Sequence, residues 1–468
     1  MWYIIVIEEE SEMKNIYLLN YSVKGIKSIE DLVSLSFYKK TITKNPDTQE
    51  YNIKGIYGMN GSGKTGIITA MDILKNIILS PGYLNNPVVQ KNLEEIINKK
   101  TKELFIEVEY LVPAKRAPLL FQYNLTLSKD SVGKYVISRE QLSSKKATSK
   151  GASLERVFEI FNGKVLFISD SKDDGFNDIL IENSVNLLSS NSMSSLFYEK
   201  ILVNLFKSEK KYRSDSILGL ILLLFFALNV HVYLDSEDNH RDFLVHNLVW
   251  KLDDILKENA EISASLRSLF DMDYATLKVI SAYGNTVSKS NYKHFEEKVR
   301  KLYDFISIFK SELRDIQIDR KEDKDDYVCN LVMVYDSYSI YAEFESTGIK
   351  KLIKLFEYLT EMVQGGIVFI DEFDSNLHDV YLCALLEYLM EYGEGQLCFT
   401  THNVGPMDVL RRHKMSIDFL SEDNKIYPWK KNGNYSPAKL YRNGMIEGSP
   451  FNVDSTDFIG VFGSTEEE

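Results

Sequence analysis

The chain is 468 residues long, 44% of its residues are hydrophobic, and its formal net charge is −13. This length fits two or three domain-sized units, or one core domain with a large insertion. The acidic charge excludes a protein built throughout as a non-specific nucleic-acid binder. Three cysteines, Cys329, Cys383 and Cys398, are too few and too far apart for a disulfide framework or a cysteine zinc site, so we expect a cytoplasmic protein.

The first predicted elements are strands. The apolar start, residues 1–7, precedes three glutamates and lacks the basic and small-residue features of a signal peptide, so none is expected. Strand-like patterns then cover residues 15–21 and 32–38. A third apolar run, 51–57, leads directly into a glycine-rich segment.

Residues 58–65, Gly-Met-Asn-Gly-Ser-Gly-Lys-Thr, match the phosphate-loop pattern G-x-x-x-x-G-K-[ST] in full, and a helix-like run follows at 67–78. Glycines allow a tight turn whose backbone N–H groups point at phosphate oxygens, and a helix N-terminus adds partial positive charge. The lysine can reach the β- and γ-phosphates, and the threonine hydroxyl can ligate Mg²⁺. The segment therefore predicts a nucleoside triphosphate site made by Gly58, Asn60, Gly61, Ser62, Gly63, Lys64 and Thr65.

A β-rich region and then a helical region are predicted downstream. Strand-like runs cover 104–112, 119–127, 134–137, 156–161 and 164–168, and the polar segment 143–153 is predicted to be a mobile loop. Residues 177–313 are largely helical in pattern, most clearly at 291–313. The apolar run 218–234 contains Asn229 and His231, so we interpret it as a buried helix running into a strand rather than a membrane span. Strand patterns return at 327–334 and 339–344.

A second set of candidate functional residues follows in the last third of the chain. The run Gly-Ile-Val-Phe-Ile at 366–370 is typical of a buried parallel strand, and Asp371 and Glu372 come at its carboxyl end, where ligands bind in open α/β sheets. Asp371 is predicted to hold Mg²⁺ through water, and Glu372 to orient or deprotonate the attacking water. Upstream, Ser346, Thr347 and Gly348 form a small turn that opens an apolar-periodic helix; downstream, the strand at 396–399 is followed by Thr-Thr-His-Asn.

The order of these motifs resembles the ATP-binding-cassette (ABC) ATPases, in the branch that contains the SMC, Rad50 and RecF proteins. The resemblance implies an α/β fold: an ABC-ATPase head with N-terminal antiparallel strands, a central mostly parallel sheet and an inserted helical lobe. It also implies ATP and Mg²⁺ as cofactors, with ATP sandwiched between subunits of a dimer or larger ring. Ser346, Thr347 and Gly348, here called the signature turn, would contact the γ-phosphate held by a neighbouring subunit, and His402 would act as the γ-phosphate switch.

A narrower resemblance rests on Glu-Ser-Thr-Gly-Ile-Lys-Lys-Leu at 345–352, Ile-Asp-Glu-Phe-Asp-Ser-Asn-Leu-His at 370–378, Thr-Thr-His-Asn at 400–403 and the segment 440–451. These segments resemble prokaryotic ABC-type ATPases of anti-phage systems, namely the ATPases of the AbiL and PARIS (AriA) systems and the ATPase part of OLD proteins. The signature differs from the Ser-Gly-Gly of the wider family. Gln90 and Gln122 are the two candidates for the glutamine that the wider family places near the nucleotide.

Three units are predicted: 1–170 as the first half of the ATPase head, 171–313 as the helical lobe, and 314–468 as the second half with a basic C-terminal extension. No nuclease motif follows His402. The resemblance therefore implies a sensor and regulator of a separately encoded toxic effector, such as a Toprim-like nuclease, with a phage protein or DNA as trigger. The alternative is a RecF- or Rad50-like DNA-repair ATPase. The basic stretch 409–442 is either a solvated face or a docking surface for nucleic acid or an acidic phage protein.

Overall fold

The computed structural model describes residues 15–43, 46–114, 118–148, 153–169, 187–197, 215–234, 280–324, 326–430 and 435–449. Within them the chain forms three β-sheets and nine α-helices. The helices are α1 (Lys64–Leu79), α2 (Pro87–Ile96), α3 (Met193–Phe197), α4 (Asp215–Asn229), α5 (Tyr292–Phe309), α6 (Thr347–Val363), α7 (Asp379–Tyr392), α8 (Met407–Leu410) and α9 (Pro437–Arg442).

The first sheet is antiparallel and has seven strands in the order β2-β1-β4-β5-β6-β7-β8. Alternate side chains of its long strands are buried against the helices, as expected for a sheet with one solvated face. The strands are β1 (Tyr17–Lys24), β2 (Val33–Ser36), β4 (Glu103–Val112), β5 (Leu119–Lys129), β6 (Tyr135–Lys146), β7 (Glu155–Phe161) and β8 (Lys164–Ile168).

The second sheet carries the phosphate loop and has the order β17-β16-β3-β15-β14-β9. All of its neighbouring strands are parallel except the pair β16 and β17. The central strands are short and fully buried, which explains their continuous apolar sequences. The strands are β3 (Ile53–Gly58), β9 (Val230–Tyr233), β14 (Ile367–Ile370), β15 (Gln396–Thr400), β16 (Ile417–Leu420) and β17 (Ile426–Pro428).

A third, antiparallel sheet packs with α5. Its strands are β10 (Asn285–Ser288), β11 (Leu313–Asp323), β12 (Asp326–Tyr335) and β13 (Ser339–Tyr341). The helix predicted at 291–313 was too long: it ends at Phe309, and Leu313 begins β11, which pairs with β12 along its whole length. The sequence pattern misled because Leu313 continues the helical spacing, yet its buried side chain belongs to the core of this sheet.

The fold class predicted from the sequence, a mixed α/β protein with an antiparallel sheet and a mostly parallel central sheet, is confirmed. The predicted buried helix and strand at 218–234 are also confirmed as α4 and β9, and α4 packs against α1 and β4. The helices that the structure describes include none long and apolar enough to cross a membrane. The loop prediction at 143–153 was wrong at its start, because residues 143–146 continue β6 and pair with β5.

The predicted lobe at 171–313 lies mostly outside the described residues, which omit 170–186, 198–214 and 235–279. Its described parts are not separate from the head. β9 is an edge strand of the phosphate-loop sheet, and the third sheet runs across residue 313. The division into three units therefore stays a prediction.

Buried polar contacts fix the first sheet against the second. The Gln396 side chain, at the start of β15, accepts a hydrogen bond from the Leu18 N–H at 2.6 Å and donates one to the Leu18 carbonyl at 2.9 Å. The Tyr21 hydroxyl donates to the carbonyl oxygen of Ile67 in α1 at 2.7 Å, and its ring meets Phe369 of β14 edge-on. These contacts fix the positions of β14 and β15 relative to α1.

A buried ion pair joins β3 to β16, and it generates a stability prediction. Lys54 Nζ lies 2.7 Å from Asp418 Oδ2 and 2.6 Å from the Met415 carbonyl, and both charged side chains are buried. Lys54→Met leaves the Asp418 carboxylate buried without its cation, so we expect a loss of about 3–5 kcal/mol in the free energy of unfolding. The double variant Lys54→Met, Asp418→Leu should recover most of it. Urea unfolding measures both values, and equal stability of the single variant and the wild type would contradict the expectation.

Candidate functional site

The phosphate loop lies between the end of β3 and the start of α1 and requires its glycines. Gly61 and Gly63 have φ values of +80° and +107°, in the left-handed region that favours glycine. A Cβ on Gly58 would lie 2.5 Å from the Leu420 carbonyl oxygen, and one on Gly63 would lie 2.6 Å from Ile29 Cγ1. The loop is therefore packed against β16 and against the segment after β1, with no room for side chains at these two positions.

Lys64 begins α1 and is buried beneath the loop. Its Nζ atom donates hydrogen bonds to the carbonyl oxygens of Gly58 at 2.8 Å and Met59 at 2.9 Å. Burial lowers the pKa of Lys64 to about 8, while the carboxylates of Asp371, Glu372 and Asp374 act in the opposite direction. The ammonium is therefore held in place by the loop itself and loses its proton more readily than an exposed lysine does.

Thr65 and Asp371, the two predicted metal ligands, are brought together. The Thr65 hydroxyl donates to Asp371 Oδ1 at 3.2 Å, although the two residues come from α1 and from the end of β14. The Asp371 N–H continues the sheet by donating to the Tyr233 carbonyl at 2.9 Å. The described residues hold no group of three or more histidine, cysteine or carboxylate side chains placed to bind one metal ion together. One carboxylate and one hydroxyl fit Mg²⁺, which usually keeps waters and takes its other ligands from phosphate.

A buried serine adds a further observation that fits a phosphate ligand. The Ser62 side chain is almost fully buried, and its Oγ atom has no hydrogen-bond partner among the described residues. A buried hydroxyl without a partner is costly. The backbone N–H groups of a left-handed glycine loop at the start of a 16-residue helix would supply the remaining donors. The residues present therefore fit a bound nucleoside triphosphate with Mg²⁺.

Glu372 adopts an unusual backbone conformation. Its φ is +48°, which costs a non-glycine residue about 1–2 kcal/mol. Thr400 holds this turn: its Oγ1 accepts a hydrogen bond from the Glu372 N–H at 2.8 Å, and its carbonyl accepts one from the Phe373 N–H at 3.0 Å. The same Thr400 hydroxyl donates to Asp371 Oδ1 at 2.6 Å. As a result Asp371 is buried towards Thr65, whereas the next carboxylate, Glu372, is exposed.

His402 lies at the same edge of the sheet, two residues after the end of β15, and its side chain is exposed. Partial desolvation and the positive charge of Lys64 lower its pKa, against the opposing effect of Asp374, Glu372 and Asp371. These mutual effects show that His402 shares the electrostatic environment of Lys64 and the carboxylates. A lowered pKa favours the uncharged imidazole, which can both donate and accept a hydrogen bond.

The signature turn starts α6 and packs against the loop that follows Glu372. The Ser346 side chain accepts a hydrogen bond from the Ile349 N–H at 3.4 Å and so caps the helix. The Thr347 hydroxyl lies 3.3 Å from Asn376 Oδ1, and a Cβ on Gly348 would lie 2.7 Å from the Asn376 carbonyl. Ser346 and Thr347 are exposed. The turn is thus tied to its own chain on one side and accessible on the other.

Two residues of the site were missed by the sequence analysis. Thr400 was noted only as the first residue of the Thr-Thr-His-Asn segment that contains His402, although a hydroxyl at the end of the strand next to Asp371 is a signal that could have found it. Lys351 was quoted only within the segment Glu-Ser-Thr-Gly-Ile-Lys-Lys-Leu and given no role, but its Nζ atom donates to the Glu372 carbonyl at 2.5 Å. Its position in the sequence gave no sign of this contact.

The two candidate glutamines have other partners. The Gln90 amide donates to the carbonyls of Leu84 and Tyr135 and accepts from the Tyr135 N–H, so it ties α2 to β6. The Gln122 amide donates to Glu109 on the neighbouring strand β4. These contacts tie both side chains to the antiparallel sheet.

Several basic residues of the stretch 409–442 form ion pairs. Arg412 pairs with Glu387 at 2.8 Å, Arg411 with Asp408 at 3.7 Å, and Lys414 with Glu50. All three of these acids lie outside the stretch, so the local excess of positive charge is smaller on the surface than along the sequence. Of the two interpretations given above, the solvated face fits these pairs better; residues 431–434 lie outside the described part.

Comparison with known proteins gives one family and a larger set of similar solved structures that includes the two below. The family model described as "AAA domain, putative AbiEii toxin, Type IV TA system" matches residues 53–408. The SMC head domain from Thermotoga maritima is 13% identical, covering 89% of this chain and 100% of that one with a TM-score of 0.32. The recombination mediator protein RecF, in its RecF-ATPrS structure, is 12% identical, with coverages of 90% and 100% and a TM-score of 0.38. No curated protein matches.

The family match spans β3, the phosphate loop, the signature turn, Asp371, Glu372 and His402, and it covers more than half of the chain. The two structural similarities are too low to carry an argument, so the fold rests on the strand order described above. The chain therefore belongs to the AAA-domain family described as "putative AbiEii toxin, Type IV TA system".

Proposed function

We propose that this chain binds ATP with Mg²⁺ and hydrolyses it to ADP and phosphate. The observation that carries the proposal is the convergence of Thr65, Asp371, Glu372 and His402 around Lys64 at one edge of a parallel sheet. Lys64 and the loop amides bind the phosphates, and Thr65 and Asp371 would hold Mg²⁺, which when bound neutralises charge on the phosphate oxygens. Glu372 orients or deprotonates the attacking water, and His402 contacts the γ-phosphate.

The proposed enzyme works as a dimer or larger ring with ATP between subunits. Exposure of Ser346 and Thr347 at the start of the 17-residue helix α6 supports this arrangement, because a capped helix N-terminus suits an incoming phosphate group. In the assembly, the signature turn of one subunit contacts the ATP bound by Lys64 of its neighbour.

The proposed biological role is that of a sensor and regulator in a two-component anti-phage system. The family description, which mentions a toxin and a toxin–antitoxin system, supports this role, as does the resemblance to the ATPases of the AbiL and PARIS systems. A separately encoded effector, of which a Toprim-like nuclease is the proposed kind, would carry the toxic activity. The trigger would be a phage protein or DNA, acting on the ATP-dependent assembly.

The low pKa of Lys64 predicts that nucleotide affinity depends on pH. Phosphates bind the charged lysine, so the affinity for a non-hydrolysable ATP analogue with Mg²⁺ should be nearly constant below about pH 8. Above that pH it should fall about tenfold per pH unit as the folded protein loses this proton. Isothermal titration calorimetry between about pH 7 and pH 10 measures the affinity, and binding at the upper end should take up a proton.

The matched control for this titration is Lys64→Arg, whose guanidinium stays charged throughout the range. Its affinity can be weaker overall, but it should not vary with pH. An affinity of the wild type that stays level from neutral to alkaline pH would show that Lys64 is not the phosphate-binding group with the lowered pKa.

Toxicity should require two gene products and an intact ATPase site. The full chain, purified alone, should hydrolyse ATP and leave DNA and RNA intact with Mg²⁺ or Mn²⁺, because its carboxylates form no two-metal nuclease site among the described residues. Expressed alone it should be harmless, and with the adjacent gene and a phage trigger it should stop growth. Glu372→Gln should remove this response, whereas Glu394→Gln, an exposed glutamate in the loop before β15, should not.

Two results would contradict the regulator role. Nuclease activity that co-purifies with this chain and is lost when one of its own carboxylates is changed would favour a self-contained OLD-like enzyme. Turnover that is strongly stimulated by DNA alone, without toxicity in any gene pairing, would favour the DNA-repair ATPase.

A further inference from the structure

Lys351 is a buried lysine whose ammonium group contacts the loop that follows β14. Only 3% of its surface is exposed, which is rare for a lysine. Its Nζ atom donates to the Glu372 carbonyl at 2.5 Å and also hydrogen bonds to Ser375 Oγ, and it lies 5.8 Å from the centre of the Tyr233 ring. Burying an ammonium group is costly unless it is paired. The contacts to Glu372 and Ser375 therefore stabilise one particular arrangement of this loop.

The position of Lys351 in α6 connects it to the signature turn. It follows Gly348 by three residues, which is about one turn of the helix, and the helix continues without interruption to Val363. Any displacement of the signature turn as a rigid part of α6 therefore displaces the Lys351 ammonium. Because that ammonium donates a hydrogen bond to the Glu372 carbonyl, the displacement also moves the backbone of Glu372, the residue proposed to orient the water.

The backbone of Glu372 is held from two sides. Thr400, at the end of β15, accepts a hydrogen bond from its N–H, and Lys351, in α6, donates one to its carbonyl. The left-handed φ of +48° is maintained by these two contacts together. Weakening one of them would let the residue relax and would move its exposed carboxylate.

We propose that Lys351 is a positioning residue that couples the two ATP sites of the assembly. This inference rests on the proposed function. In each subunit the signature turn contacts the ATP held by the neighbour, whereas Glu372 acts on the ATP held by its own Lys64. Lys351 links the signature turn to Glu372 within one chain. When ATP occupies the neighbour's site, Lys351 therefore positions the Glu372 carboxylate for hydrolysis of the ATP in its own subunit. Turnover is then cooperative in ATP.

The test compares Lys351→Met with a matched control, Lys350→Met, in the full chain. Lys350 is the preceding residue of α6 and its Nζ atom donates to the Glu343 carbonyl at 3.2 Å, away from Glu372. Steady-state ATP hydrolysis gives kcat and the Hill coefficient, and a fluorescent ATP analogue gives the binding affinity. Lys351→Met should keep the affinity, lose about tenfold in kcat and lower the Hill coefficient from above one to about one. Lys350→Met should behave as the wild type.

A purely structural role of Lys351 would lower kcat and leave the Hill coefficient unchanged, and that result would overturn the coupling. A wild-type Hill coefficient of about one would also overturn it. If Lys351→Met does not fold, Ser375→Ala removes the second acceptor and keeps the lysine, and it should lower the Hill coefficient in the same direction. Glu372→Gln distinguishes failure of the proposed function from failure of the coupling. If Glu372→Gln hydrolyses ATP like the wild type, the proposed function fails. If Glu372→Gln is inactive while Lys351→Met stays fully cooperative, only the coupling is refuted.

Discussion

The candidate site depends on how the chain turns directly after β14. Two carboxylates follow each other there, and they have to face different surroundings. The left-handed conformation of Glu372 separates them: Asp371 stays buried, with the hydroxyls of Thr65 and Thr400 on its Oδ1, and Glu372 reaches the surface. Phe373, fully buried against Phe399, anchors the far side of the turn. The strained backbone of Glu372 thus directs the two carboxylates, Asp371 and Glu372, to two different proposed roles.

This turn can only work if three elements keep their register. β14, β15 and β3 are parallel neighbours, so their carboxyl ends bring Asp371, Thr400 and the phosphate loop to one edge. Gln396 and Tyr21 bind this sheet to the antiparallel sheet and to α1 through buried hydrogen bonds. A shift of β15 by one residue would break the Gln396 contacts and would point the Thr400 side chain away from Asp371. The precision of the site is therefore supplied by the packing of the two sheets.

Much of this arrangement could be predicted from the sequence, and the failures have physical causes. Contiguous motifs were sufficient for the phosphate loop and for the buried strand that precedes Asp371, because backbone geometry and continuous burial leave a local pattern. β11 was missed because its sequence is largely charged and so lacks the alternating apolar pattern of a strand. Thr400 and Lys351 were missed for a different reason. Their roles arise from contacts to residues 28 and 21 positions away, which no local periodicity reveals.

The central claim is that Glu372 acts on water at an ATP site built around Lys64, and a single-turnover experiment tests it most directly. Labelled ATP with Mg²⁺ is incubated with excess wild type or Glu372→Gln, and the bound nucleotide is recovered and identified over time. We predict that the wild type converts its bound ATP to ADP, whereas Glu372→Gln binds ATP equally well and retains it unhydrolysed. Conversion of bound ATP by Glu372→Gln at the wild-type rate would contradict the account.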